Sequence, residues 1–105
     1  MPNIKLQYQY RDYANYKNYN EVIFTNPDNH TLQHITTTLR TTCMDNEYFL
    51  ASRWNLKDLH FDKYDDEIDH PWHEFVGVQV TDEVVTEAVN ISELLQKVKG
   101  INCVF

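Results

Sequence analysis

The densest group of chemistry-bearing side chains runs from Lys57 to Glu74: Lys57-Asp58-Leu59-His60-Phe61-Asp62-Lys63-Tyr64-Asp65-Asp66-Glu67-Ile68-Asp69-His70-Pro71-Trp72-His73-Glu74. His70 and His73 stand three apart in it, beside Asp66, Asp69 and Glu74. Imidazole and carboxylate suit zinc, manganese or iron. His70, His73 and Asp69 are therefore the candidate metal ligands, and a divalent metal is the one cofactor the sequence suggests. The spacing is unspecific. Pro71 prevents an ordinary helix from presenting both histidines on one face, and neither His-Glu-x-x-His nor an EF-hand loop occurs. The competing expectation is that Trp72 and Phe75 pack inward while the histidines bond locally or face water, with nearby carboxylates favouring the imidazolium form.

The same segment holds seven carboxylates and two lysines, a net of −5, whereas the whole chain is −7. Crowded carboxylates repel one another and cost stability. A chain tolerates them as a solvated loop, for a cation, or for a basic partner. The third reading makes Asp62, Asp65, Asp66, Glu67 and Asp69 the partner-binding charges, with Tyr64 and Trp72 as aromatic anchors. One form of it is a small inhibitor that occupies a nucleic-acid-binding site by imitating phosphate charge.

The first twenty residues contrast with this. They hold Tyr8, Tyr10, Tyr13, Tyr16 and Tyr19, with Lys5, Arg11 and Lys17 against Asp12 alone. Tyrosines interleaved with cations can stack single-stranded bases or anchor a protein partner. They can also pair with the acidic segment of the same chain. The overall charge opposes nonspecific contact with nucleic acid or an anionic membrane.

Nucleophilic and phosphate chemistry find no support. The only glycines are Gly77 and Gly100, so there is no phosphate-cradling loop, and no Gly-x-Ser-x-Gly elbow exists. No residue is assigned a catalytic role, and an interaction protein is expected rather than an enzyme. Cys43 and Cys103 form no metal-like spacing and read as reduced thiols.

Four blocks resemble a group of small bacterial proteins of unassigned function. They are Tyr10-Arg11-Asp12-Tyr13-Ala14-Asn15-Tyr16-Lys17, Glu47-Tyr48-Phe49, Leu56-Lys57-Asp58-Leu59 and Asp69-His70-Pro71-Trp72-His73-Glu74. The resemblance implies a bacterial or phage-borne cytoplasmic protein. It supplies no activity, ligand or catalytic residue.

The elements that must position these groups follow from periodicity. Ile4, Leu6, Tyr8 and Tyr10 alternate with polar residues, as in a half-buried strand. Residues 21–25 form a second strand, paired antiparallel with the first, the tyrosine-rich stretch being a long loop or an extension of both. Thr31 caps a helix over 31–43, with Leu32, Ile35, Leu39 and Cys43 on its apolar stripe. Tyr48–Ala51 is a strand or the entry to a brief helix through Trp54, and 57–74 is irregular. Residues 75–80 form a strand with Val76, Val78 and Val80 on one face. Asn90 opens a second helix in a capping box with Glu93, and Gly100 ends it.

This is an α+β pattern: an antiparallel sheet of three to four strands with two helices packed on one face. With 105 residues the chain makes one domain, 1–105. No apolar run is long enough to span a membrane and no signal peptide is visible, so the expected location is cytoplasmic. A homodimer through the open sheet face or the apolar tail Ile101–Phe105 is left open.

Overall fold

The computed structural model describes residues 2–11, 17–43, 47–59 and 72–99. Ile4, Leu6, Tyr8 and Tyr10 are buried in alternation along β1 (Asn3–Arg11), the period of a strand with one face on the core. β2 is Lys17–Phe24, β3 Tyr48–Phe49 and β4 His73–Thr81, joined in the order β2-β1-β4-β3 with every pairing antiparallel. The N-terminal strand is thus central. Both β1 and β2 extend into the tyrosine-rich stretch, the second of the two expectations for it, and Lys17 pairs with Arg11.

α1 (Leu32–Thr41) and α2 (Ile91–Lys99) cover the core-facing side of the sheet. The Thr31 hydroxyl accepts the His34 N–H and caps α1. Threonine is a mediocre helix former, so burial of Ile35, Thr38 and Leu39 holds this helix in place. Leu32, expected on that stripe, is exposed in the first turn. α2 has the full capping box: Asn90 Oδ1 accepts the Glu93 N–H, and Glu93 Oε2 accepts the Asn90 N–H. Ile91, Leu94, Leu95 and Val98 form its buried face.

The segment after β3 is both things the sequence allows. Tyr48–Phe49 is a short strand and Ala51–Trp54 a turn of 3₁₀ helix, closed by Asn55 in the left-handed region (φ 58°). Trp54 stacks on Phe49 with ring centroids 4.0 Å apart.

Two expectations for β4 need correction. The strand starts at His73, so 73 and 74 are not irregular. Its alternation is also broken: Tyr8 lies opposite Phe75 and Gln7 opposite Gly77, which leaves Val76 as the extra residue of a β-bulge. Val78 and Val80 consequently share the helix-side face with their partners Leu6 and Ile4, while Val76 is displaced from it. The segment between β4 and α2 is not a strand. It is tied to the outer edge of β2, where the Ile23 carbonyl accepts the Thr86 and Glu87 N–H groups and the Ile23 N–H donates to Thr86 Oγ1.

Candidate functional site

The start of the acidic segment is fastened to the core through its backbone. The Tyr8 hydroxyl donates to the Lys57 carbonyl (2.7 Å) and accepts from Asn20 Nδ2 (3.0 Å). Asn18 Nδ2 donates to the Leu59 carbonyl (3.1 Å), and the Leu59 N–H donates to His73 Nε2 (2.9 Å). These side chains come from β1, β2 and β4, so residues 57–59 lie across one end of the sheet. Burial pushes the Tyr8 hydroxyl above its ordinary titration range.

His73 closes the other end. Its ring is 1% exposed and sits among aromatic neighbours, 5.2 Å from Tyr10 and 6.0 Å from Tyr8 between centroids. Because Nε2 accepts an N–H, the ring is the neutral tautomer with its proton on Nδ1. His73 thus bonds locally, one of the two expectations for it, and the correction concerns its charge: an Nε2 that accepts an N–H is not that of an imidazolium. Asp58 Oδ1 lies 3.6 Å from Nε2, on a side chain that is more than half exposed. The sequence places His73 beside carboxylates; the alternation that turns it inward is visible only once β4 is known to begin there.

Of the partner-binding candidates, Trp72 is half-buried immediately before β4. Asp62, Tyr64, Asp65, Asp66, Glu67 and Asp69 lie outside the described residues, as does His70. Of the metal candidates His73 alone is described, and its Nε2 is engaged by the Leu59 amide. Among the described residues no group of three His, Cys, Asp or Glu side chains is arranged to hold a metal.

The basic N-terminal strand does meet the acidic end of β4. Arg11 Nε is 3.3 Å from Glu74 Oε1, and Gln9 Nε2 donates to Glu74 Oε2 (3.1 Å). The Arg11 contact lacks hydrogen-bond alignment at Nε, so its attraction is Coulombic. Glu74 is buried, and a buried carboxylate needs such company. Lys5 bridges Glu21 and Glu83. The hydrogen bond between Lys5 and Glu83 raises the lysine and lowers the carboxylate from their ordinary values. Two of the cations that a nucleic-acid strand would need are thus committed to carboxylates. Tyr19 is exposed on β2, while Tyr8 and Tyr10 belong to the core; Tyr13 and Tyr16 lie outside the described residues.

Sequence reasoning missed one polar cluster. Ser92, in the first turn of α2, donates to Asp28 Oδ2 and lies 2.9 Å from His30 Nε2. The His30 ring stacks on His34 at 5.1 Å. Asn26 fixes the turn: its Oδ1 accepts the His30 N–H and its Nδ2 donates to the His30 carbonyl, both at 3.0 Å. The chemistry is not that of an activated serine. The hydroxyl proton goes to the carboxylate, which leaves His30 to donate rather than to act as base. The cluster anchors the turn before α1 to α2. No spacing signal links residues so far apart in sequence.

No helix among the described residues is long and apolar enough to cross a membrane. No family model, no curated protein and no solved structure matches the chain. The resemblance to small bacterial proteins rests on its four sequence blocks alone.

Proposed function

We propose that the protein is a non-enzymatic interaction module, located in the cytoplasm, that presents the acidic stretch between Leu59 and Trp72 to a basic or nucleic-acid-binding protein partner. The observation that carries this reading is the fixing of both ends of the stretch. The Leu59 amide is bonded to His73 across 14 residues of separation, and the Lys57 carbonyl to Tyr8. Fastening the chain on both sides of the stretch restricts the conformations open to it, which lowers the ordering cost of binding. Asp62, Asp65, Asp66, Glu67 and Asp69 supply the charge, with Tyr64 and Trp72 as anchors. Used as an inhibitor, such a surface competes with phosphate.

The test is affinity capture from a bacterial lysate with the native chain and with a variant carrying Asp65→Lys, Asp66→Lys, Glu67→Lys and Asp69→Lys. The native chain is expected to retain a protein that the variant does not, and to lose it as salt is raised from about 0.05 to 0.5 M. Equal capture by both chains at all salt concentrations sinks the proposal. A metal at Asp69, His70 and His73 would require His73 to exchange the Leu59 amide for the ion or to ligate through Nδ1. Stoichiometric zinc or manganese in untagged protein, found by elemental analysis, would favour that reading instead.

A further inference from the structure

We infer that the outer edge of β4 is a self-association surface, on which a second copy pairs antiparallel across Gly77–Thr81 with Gln79 on the two-fold axis. β3 pairs with β4 only at His73 and Glu74, and the Glu47 carbonyl takes the Phe75 N–H. Beyond that, nothing among the described residues pairs with the outer edge of the strand. Unpaired edges are templates for another strand, and proteins blunt them with charge or proline. Gly77-Val78-Gln79-Val80-Thr81 contains neither, and Val80 is 52% exposed.

The occupant is a second copy because the run is complementary to itself. Pairing about Gln79 sets Val78 of each chain against Val80 of the other. Both valines lie on the helix-side face, opposite Leu6 and Ile4, so their side chains meet and Val80 is covered. Gly77 faces Thr81. The flanking carboxylates Asp82 and Glu83 fall opposite Val76 and Phe75 of the second copy, and no carboxylate faces another. Pairing about Val78 instead would oppose Glu74 to Asp82, a destabilising like-charge pair, and would match the bulged Val76 with Val80 on the wrong face. The result is an isologous contact that joins two four-stranded sheets into one.

Each chain carries −7, so repulsion opposes the contact and added salt strengthens it. Binding of a basic partner by the acidic stretch responds to salt in the opposite direction, which keeps the two readings separable. Sedimentation of the native chain at rising concentration should show a mass moving from 12.6 kDa toward twice that value, with the shift favoured by salt. Val80→Lys should weaken association about tenfold or more. A second experiment is independent of that variant's folding. In a Cys103→Ser background, where Cys43 is buried, Gln79→Cys should cross-link to its own copy under mild oxidation, while Ser52→Cys at another exposed position should not. A native chain that stays monomeric at every concentration and salt, or a Gln79→Cys chain that cross-links no better than Ser52→Cys, overturns the inference.

Discussion

The main-chain N–H of Leu59 and the Nε2 of His73 meet at 2.9 Å, with the net-acidic stretch of chain between them. The bond is buried, so its loss leaves a donor with no water to replace the acceptor. His73→Phe keeps a ring among Tyr8, Tyr10 and Phe49 but removes the acceptor. It should cost about 1–3 kcal/mol in urea unfolding, and His73→Gln, which restores an acceptor, should recover part of the loss. An unchanged midpoint for His73→Phe would show that the bond contributes nothing.

Tyr8 links stability to alkaline pH. Burial raises its hydroxyl pKa above the ordinary value of 10.0, so the folded protein holds this proton where the unfolded chain has lost it. The contribution is complete below about pH 10 and is lost as pH rises through the folded value. Tyr8→Phe removes that titration and strands the Lys57 carbonyl. At neutral pH it should be less stable by about 1–3 kcal/mol, and its stability should fall less steeply from about pH 9 to 11. Parallel pH profiles for the two proteins would contradict this.

Glu74 is the buried carboxylate among the described residues. Arg11→Met leaves it buried with Gln9 as the donor described above, at a cost of about 1–3 kcal/mol; Arg11 is partly exposed, so the loss falls short of that for a fully buried pair. Adding Glu74→Gln should recover most of the cost, because a neutral amide needs no counter-charge. The comparison is a double-mutant cycle by thermal or chemical unfolding. Additive effects would mean that the two side chains do not interact.

The parts of the fold legible in the sequence are those with local signals. The strict alternation from Ile4 to Tyr10, the Thr31 cap and the Asn90/Glu93 capping box each predict their element, and together they give the α+β class. The bulge at Val76 was not legible, since a run of valines alternating with small and polar residues reads as an unbroken strand. The inward turn of His73 follows from where β4 begins and from its pairing with Tyr10, neither of which has a local signature. Pairing of Arg11 with Glu74 and of Ser92 with Asp28 is set by tertiary approach between distant segments, to which residue spacing is blind. The charge asymmetry was plain from counting alone. Its anchoring through Tyr8, Asn18 and His73 was not, because it uses the backbone of residues 57–59 rather than their side chains.

The central place of β1 bears on how the protein is made. A strand flanked by β2 on one side and β4 on the other is half-paired until β4 has been synthesised, and it waits with Leu6, Tyr8 and Tyr10 uncovered. Contacts between such distant segments form late and slow the search. The β1–β2 hairpin alone is at best marginally stable in water, so the committed step of folding comes after release of the β4 segment from the ribosome. Chains cut short before His73 are accordingly the form of this protein that chaperones and proteases must handle.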